Sequence, residues 1–420
     1  MTANHDGGVQ LGLSRSIRAS LPGVEGCTVI DDRPVDSALY STHRDFFDAT
    51  QPETPCLLLD LDIVAARYRE LRAGLPGAAV YYAVKANADP DLLRHLVELG
   101  CGFDVASVGE IDACLAAGAD PASISFGNTV KKESAIRYAH ERGIRLYSVD
   151  SVAELEKVAR AAPGAEVCCR FIVRTTGAQW PISRKFGCTE EDAVALLRDA
   201  VSLGLRPRGT TFHVGSQQRE PESWAIGVAT AARVAAKLAA EGIELDLLNL
   251  GGGLPVRYEA TVPSLETYLT AIERAVAESF ATRPALIVEP GRYLPGDAGM
   301  IRSEVVLVTE REHGLRWVYL DVGRYNGLVE TDDEAIAFPV VAVRADGRFA
   351  DQAAPAVLAG PTCDSTDVLY ERTPVSLPVD LRPGDHVDIL ATGAYTTPYA
   401  SVGFNGFPPL PSRCFRSTDG

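Results

Sequence analysis

Residues 80–105 read VYYAVKANADPDLLRHLVELGCGFDV and contain a strand, a helix and a second strand in close succession. The apolar run Val80–Val84 predicts a buried strand. Asp89, followed by proline, is a suitable start for a helix, and Gly100 is a suitable end. Gly102–Val105 then predicts the next strand. A unit of this kind predicts two parallel strands joined by a crossover helix.

The same alternation continues to about residue 290, with eight apolar runs separated by helix-favouring stretches. The candidate strands are Val80–Val84, Gly102–Val105, Ser123–Phe126, Arg145–Val149, Glu166–Val173, Gly209–Val214, Asp246–Leu250 and Leu286–Glu289. Eight such strands predict a parallel sheet, and eight is the number that closes a (β/α)8 barrel. Because periodicity alone does not show closure, an open doubly wound sheet remains the alternative. We expect an α/β fold with a TIM-type barrel over residues 61–300.

The flanking regions have a different pattern. Residues 1–45 are polar and without sustained periodicity, which predicts a flexible N-terminal arm. Residues 46–60 contain the candidate strand Cys56–Leu59, which we expect to join a β-rich domain formed by residues 301–420. The candidate strands of that domain are Ile301–Thr309, Arg316–Leu320, Val340–Val343, Ala356–Leu358 and His386–Leu390.

Composition narrows the class of function. The 420 residues carry a formal net charge of −16, which disfavours nucleic acid and anionic lipid and suits a cationic substrate better. Nine cysteines form no CxxC pair and no metal-ligand spacing, which is typical of reduced thiols and predicts no metal site. There is no signal-peptide pattern and no apolar run of about 20 residues. We therefore expect a soluble cytoplasmic protein that binds a small molecule.

Polar residues end several of the predicted barrel strands, where such barrels carry their functional groups. Lys85 follows the first strand, Asp104 ends the second, and His213 lies near the end of the sixth. A lysine amine at the end of a buried strand is a candidate Schiff-base former, because burial lowers the amine pKa. The alternative is a lysine that simply reaches solvent.

The last two strands are followed by groups that suit an anion. Gly251, Gly252 and Gly253 would let backbone N–H groups approach a phosphate, although most glycine triplets are structural turns. Glu289 and Arg292 offer a carboxylate and a guanidinium on one turn, for a pyridine nitrogen and a phosphate respectively. A surface ion pair is the alternative.

Ten ordered segments resemble the ornithine and diaminopimelate decarboxylase family of fold-type III pyridoxal phosphate (PLP) enzymes. They extend from about residue 52 to 408 and read YYAVKAN, GFDVASVGEI, WPISRKFG, FHVGS, NLGGGLP, EPGRYL, DVGRYNGLVETDDEAI, GPTCDSTD, TGAYT and FNGF. The resemblance is strongest to the bacterial ornithine/lysine decarboxylases. It implies a PLP-binding barrel, a β-rich domain that contributes to the active site, and decarboxylation of a basic amino acid.

The resemblance implies a role for each matching residue. Lys85 would hold PLP as a Schiff base, Glu289 would pair with the ring nitrogen, and His213 would stack on the ring. The remaining cofactor contacts would come from Asp104, Glu110, Arg170, Ser216, Gly251, Gly252, Gly253, Gly291, Arg292 and Tyr395.

A second group of residues would act on the substrate. Cys363 would return a proton to Cα, and Asp364 would bind the distal amine together with an acid in the 330–334 stretch. We favour Asp333 for that acid, with Asp332 as the alternative. Phe404 would line the pocket. The family's opposite subunit supplies the residues matching Cys363, Asp364 and Phe404, which implies a head-to-tail homodimer with shared active sites.

The substrate is less sharply defined. The aspartate after Cys363 favours a bare distal amine, so L-ornithine, giving putrescine and carbon dioxide, comes first and lysine second. One methylene separates these two by only about 1–3 kcal/mol. A related diamino acid is a further alternative. Less favoured are a PLP racemase and a catalytically inactive regulatory homologue.

Overall fold

The computed structural model describes residues 27–29, 37–180, 185–258, 262–311, 314–344 and 348–417. The helices of this part are α1 Ser37–Thr50, α2 Leu61–Gly74, α3 Pro90–Glu98, α4 Val108–Ala116, α5 Glu133–Glu141, α6 Val152–Ala161, α7 Glu190–Ser202, α8 Ser223–Ala239 and α9 Leu265–Ser279. The strands are β1 Cys27–Val29, β2 Cys56–Asp60, β3 Ala78–Ala83, β4 Gly102–Val105, β5 Ile124–Phe126, β6 Leu146–Val149, β7 Glu166–Arg170, β8 Ala178–Trp180, β9 Arg206–Thr211, β10 Ser216–Gln218, β11 Leu247–Asn249, β12 Ala285–Val288, β13 Gly299–Glu310, β14 Arg316–Leu320, β15 Val340–Val343, β16 Ala353–Ala359, β17 Val368–Leu369, β18 Val375–Pro378, β19 His386–Leu390 and β20 Ser412–Phe415.

Eight parallel strands form a closed barrel in the order β3-β4-β5-β6-β7-β9-β11-β12, and β12 pairs with β3 to close it. The α/β barrel prediction is therefore confirmed, and the open-sheet alternative is wrong. Every predicted barrel strand corresponds to one of these eight. Their ends differ most in β7, which ends at Arg170, and in β9, which begins at Arg206.

The helix after β3 shows why the sequence folds this way locally. The Asp89 carboxylate accepts a hydrogen bond from the backbone N–H of Asp91 at 2.9 Å and caps α3. The helix buries Leu92, Leu93 and Leu96 against the barrel. These apolar positions lie on one helical face, so burial and capping favour the same segment.

A second, β-rich sheet lies beside the barrel and is built around β13. This strand pairs with β2, β14 and β19, and β2 also pairs with β20. The chain therefore leaves this sheet at β2, forms the barrel, and returns at β13 to the strand beside β2. Leu59 faces Gly299 in the register of that pair, which places the entry and exit of the barrel side by side.

The segment before the barrel differs from the prediction. Residues 37–45, expected in the flexible arm, belong to α1, which continues through the predicted boundary to Thr50. Helix α1 buries Tyr40, His43 and Phe47. Its helical period was hidden because one of these three positions is a histidine, which hydrogen-bonds through Nε2 to the carbonyl of Ala298 at 2.7 Å. The rest of the predicted arm, apart from β1, lies outside the described residues.

Across the described ranges, none of the helices combines the length and the apolar character that a membrane-spanning segment requires.

Candidate active site

A cavity of about 370 Å³ opens at the carboxyl ends of the barrel strands, against the β-rich sheet. It is lined by Ala83, Lys85, Trp180, His213, Ser216, Gly252, Gly253, Leu254, Glu289, Gly291, Arg292, Val329, Glu330, Asp332, Tyr395 and Tyr399. A smaller cavity of about 170 Å³ continues into the barrel and shares Lys85, His213 and Glu289 with the first. Asp104 and Arg170 line this inner part. The predicted barrel residues therefore converge on one continuous space.

Lys85 lies in a short 3-10 turn, Val84–Ala86, directly after β3. Its side chain is exposed to the cavity although protein atoms surround it. Burial lowers the pKa of the amine, but Tyr395, Asp104 and Glu289 act in the opposite direction, and the net pKa is raised. The expectation that burial alone would lower this pKa is wrong, because the nearby acidic groups outweigh it. The amine is thus held as an ammonium by the groups around it.

Two other side chains of the site, those of Glu289 and His213, are held in place by hydrogen bonds. The Glu289 carboxylate accepts from the Asn249 side-chain amide at 2.5 Å. His213 accepts from the backbone N–H of Gly215 at Nδ1, at 3.0 Å, which leaves Nε2 as the ring's donor. Burial, with Arg170 and Lys85 nearby, lowers the His213 pKa well below its ordinary value. The imidazole is therefore neutral and can lie flat against an uncharged or cationic ring.

Two further carboxylates support the inner cavity. Burial and the proximity of Glu289 raise the pKa of Asp104 well above its ordinary value, and Ser125 donates a hydrogen bond to it at 3.3 Å. Glu110 accepts from the backbone N–H of Ala106 at 2.6 Å and so ties helix α4 to the end of β4. Burial also lowers the pKa of the Arg170 guanidinium. Asp104 and Arg170 lie at the cavity, whereas the hydrogen bond of Glu110 orders the adjacent loop.

The glycine segment after β11 leaves no room for side chains. A Cβ on Gly251 would lie 1.9 Å from the carbonyl of Phe212, and one on Gly252 would lie 2.6 Å from the carbonyl of Glu289. Gly251 also has a φ of +65° and Gly253 one of +118°, which favour glycine. The triplet brings backbone to the wall of the cavity, as a phosphate cradle requires.

Arg292 also lines the cavity and is 3% exposed. Its Nη1 and Nη2 atoms donate to the two oxygens of Glu330, each at 2.6 Å, and Nη1 also donates to the Tyr258 hydroxyl at 3.2 Å. The Nε atom is buried and has no hydrogen-bond partner in the described structure. The guanidinium lies 4.6 Å from the centre of the Tyr395 ring. A buried N–H without a partner, beside a glycine cradle, fits an anionic group such as the phosphate of PLP.

The residues expected to act on the substrate lie away from this cavity within the single chain. Cys363 and Phe404 are exposed. The Asp364 carboxylate accepts hydrogen bonds from the backbone N–H of Thr366 at 2.9 Å and from the Thr366 hydroxyl at 2.7 Å. The Cys363 N–H donates to the Asn405 side chain at 2.9 Å and joins the two loops. The chain therefore presents these three residues together on one surface, which we call the CDF cluster (Cys363, Asp364 and Phe404).

The acid chosen in the 330–334 stretch needs correction. Asp333 has an 85% exposed side chain, forms an ion pair with Arg372 at 2.8 Å, and does not line the cavity. Asp332 does line it, and Arg324 lies 2.5 Å from its carboxylate. The turn explains the difference, because Asp333 has a φ of +52° that sends neighbouring side chains in different directions.

Several cavity residues were not predicted. Trp180 and Tyr399 line the space, and so does Glu330, which the prediction covered only as part of the 330–334 stretch. Tyr258 and Asn249 hold lining residues from behind. Trp180 and Glu330 lie within the quoted WPISRKFG and GLVETDDEAI segments. Membership of these matching segments was the only sequence signal for the two residues, since nothing in the sequence distinguishes a buried acid from a solvated one.

The family described as pyridoxal-dependent decarboxylase, pyridoxal binding domain, matches residues 61–296, which is more than half of the chain. The chain belongs to this family. It is a PLP-dependent amino-acid decarboxylase of the ornithine decarboxylase type, and both the predicted relationship and the predicted cofactor are confirmed.

Characterised relatives match over nearly the same length. The lysine/ornithine decarboxylase of Selenomonas ruminantium is 33% identical over 86% of this chain and 90% of its own length. The ornithine decarboxylase of Caenorhabditis elegans is 29% identical over 87% of this chain and 88% of its own.

Solved structures agree with the architecture. The crystal structure of lysine/ornithine decarboxylase from Vibrio vulnificus complexed with putrescine has a TM-score of 0.81 at 30% identity and covers 90% of this chain and 99% of its own. The structure of SrLDC in complex with PLP and cadaverine has a TM-score of 0.79 at 32% identity, covering 91% and 94%. The barrel and the separate β-rich sheet of this chain thus match the fold of solved decarboxylases.

Proposed function

We propose that this decarboxylase acts on a basic L-amino acid, and that L-ornithine, giving putrescine and carbon dioxide, is its first substrate. The observation that carries the proposal is the cavity, which combines Lys85 and Glu289 at its base with Asp332 on its wall. A carboxylate on the wall suits a substrate that ends in an ammonium group. Relatives named lysine/ornithine decarboxylase, and a relative's structure complexed with putrescine, support the same substrate class.

The residues at the base would have distinct roles. PLP supplies an aromatic ring that accepts the electron pair left on Cα when carbon dioxide departs. Lys85 would hold the cofactor covalently before and after each turnover. Glu289, fixed by Asn249, would keep the ring nitrogen protonated. The neutral imidazole of His213 would cover one face of the ring.

A second set would hold the phosphate. Gly251, Gly252 and Gly253 would contribute backbone on one side, with the Ser216 hydroxyl beside them. Arg292 would donate from the other side, and Tyr395 would close the site, since its ring lies against the same guanidinium. Gly291 belongs with this set, because a Cβ there would lie 2.9 Å from the Tyr395 hydroxyl.

We also propose that a second copy of the chain completes the cavity. The CDF cluster lies on the surface of its own chain, and its residues do not line the cavity described above. In a head-to-tail homodimer it would enter the partner's cavity. Cys363 would then deliver the proton to Cα, Asp364 would bind the distal ammonium, and Phe404 would cover the aliphatic part of the substrate.

The substrate is tested by assaying ornithine, lysine, arginine and diaminopimelate for carbon dioxide and for the amine product. We expect the highest kcat/KM for ornithine and a lower one for lysine, by up to about 200-fold for one methylene. A preference for lysine would overturn the choice of ornithine but keep the substrate class. Loss of optical rotation without carbon dioxide would overturn the decarboxylase reading in favour of a racemase.

A further inference from the structure

Among the residues that the structure describes, the hydrogen bonds of Arg292 leave one edge of its guanidinium free. The group has five N–H donors, and three are used: one on each Nη by Glu330, and the second one on Nη1 by Tyr258. The two that remain, on Nε and Nη2, lie side by side along one edge because of the planar geometry of the group. This edge is the fork that binds two oxygens of a phosphate.

Glu330 determines which edge is free. Its two oxygens accept hydrogen bonds from Nη1 and Nη2 at 2.6 Å each. The pair is almost wholly buried, since the side chain of Arg292 is 3% exposed and that of Glu330 is 8% exposed. Arg292 follows the last barrel strand, whereas Glu330 belongs to the segment Val329–Glu334 of the β-rich part. The ion pair therefore links the barrel to the β-rich part of the chain at the wall of the cavity. The Tyr395 ring, 4.6 Å from the guanidinium, restricts movement out of its plane.

We propose that Glu330 is a positioning residue for the phosphate of PLP, which it serves by holding Arg292 with its Nε–Nη2 edge toward the cavity. The inference rests on the proposed phosphate-binding role of Arg292. Simple electrostatics predicts the opposite effect for this residue, since a buried carboxylate so close to a phosphate should repel it. The positioning role predicts that loss of the Glu330 carboxylate weakens phosphate binding, whereas repulsion predicts that it strengthens phosphate binding. A substitution of Glu330 therefore distinguishes the two.

The test compares PLP with pyridoxal, which has the same ring and aldehyde but no phosphate. Both dissociation constants are measured by absorbance titration for the wild-type protein and for Glu330→Gln. A glutamine can accept only one of the two hydrogen bonds and presents N–H to the other nitrogen, so the guanidinium loses its alignment. We expect the preference for PLP over pyridoxal to fall about tenfold or more, with pyridoxal affinity unchanged.

Glu334→Gln is the matched control. Glu334 belongs to the same 3-10 segment and also pairs with an arginine, Arg372, at 3.7 Å, but that arginine is exposed and Glu334 does not line the cavity. Its substitution should leave the preference for PLP unchanged. An unchanged or increased preference for PLP in Glu330→Gln would overturn the positioning role, and an increase would show that the carboxylate acts by repulsion.

A second variant covers the case in which Glu330→Gln does not fold. Tyr258→Phe removes one hydroxyl at 3.2 Å from Nη1 and keeps the ring, so it should lower the preference for PLP by a smaller factor. An unchanged preference in this variant would then count against the inference. Failure of the proposed function would look different, because wild-type protein would show no preference for PLP over pyridoxal at all.

Discussion

At the scale of single residues, Asp332 and Asp333 form a natural matched pair. Asp332 lines the cavity, whereas Asp333 points toward Arg372 at the surface. We expect Asp332→Asn to raise KM for ornithine about tenfold or more, because a charge-assisted hydrogen bond to the distal ammonium is lost, with little change in kcat. Asp333→Asn should leave both constants unchanged. Steady-state assays of carbon dioxide release measure both constants. A raised KM in Asp333→Asn with an unchanged KM in Asp332→Asn would contradict this assignment.

The pKa of Lys85 leads to a second prediction at this scale. Only the neutral amine can attack the aldehyde of PLP, and the raised pKa makes the neutral form scarce near pH 7. The rate of covalent attachment to apoprotein should therefore rise about tenfold per pH unit while pH remains below that pKa.

Asp104 is one of the groups that raise this pKa. In Asp104→Asn the rate profile should accordingly move to lower pH, giving faster attachment at pH 8. Stopped-flow absorbance of the protein-bound cofactor measures both profiles. A profile that does not move, or one that moves to higher pH, would show that Asp104 does not contribute in this way.

At the scale of elements, one buried lysine joins three parts of the barrel. Lys131, between β5 and α5, donates to the carbonyls of Asn128 and Ser148 at 2.7 Å each and forms an ion pair with Glu154 at 3.0 Å. Burial lowers its pKa to about 8. We expect Lys131→Met to reduce the free energy of unfolding by about 3–5 kcal/mol, because it leaves a buried carboxylate and two carbonyls with fewer partners.

The same shift predicts a pH dependence. The unfolded chain holds the Lys131 proton up to about pH 10.4, and the folded chain loses it near pH 8. Between these values the unfolded state binds more protons, so the stability of the wild-type protein should rise with pH, and this rise should be missing in Lys131→Met. Lys132→Met, at the exposed neighbouring position, should keep it. Urea unfolding followed by circular dichroism provides the comparison.

The elements also show what a single sequence can predict. The barrel strands and α3 were predictable because apolar period, cap residues and glycines coincide in the same segments. Helix α1 was missed because its buried face includes His43, which is satisfied by a distant carbonyl rather than by apolar contacts. Strands β17, β18 and β20 were missed as well, and each is at most four residues long. Segments this short carry too few alternations to reveal a period.

The site was predictable to a similar degree. Lys85, His213 and Glu289 end or follow strands and belong to matching motifs, and all three meet in the cavity. The partner of Arg292 was not predictable, because Glu330 lies 38 residues away in the 3-10 segment Val329–Glu334. The choice between Asp332 and Asp333 depended on one backbone turn, which sequence spacing does not determine.

At the scale of the whole molecule, the barrel is inserted into the β-rich sheet. The chain leaves that sheet at β2 and returns at the adjacent β13, so the barrel mouth and the sheet are held in a fixed relation. This arrangement places Asp332 and Glu330 of the second part against Lys85 and Arg292 of the first. The CDF cluster belongs to the same part of the chain but remains outside the cavity. One chain therefore forms the whole proposed cofactor site and leaves the CDF cluster exposed.

A mixing experiment tests whether a second copy supplies those contacts. Lys85→Ala and Cys363→Ala should each be nearly inactive, because one lacks the proposed point of cofactor attachment and the other the proposed proton donor. If sites are shared, random exchange of the two variants makes half of the dimers mixed, and each mixed dimer has one site with both residues intact. Activity should then recover to about a quarter of the wild-type value. Two outcomes would show that each chain uses its own Cys363: no recovery after exchange is proved by mass spectrometry, or normal activity in a protein that stays monomeric at assay concentration.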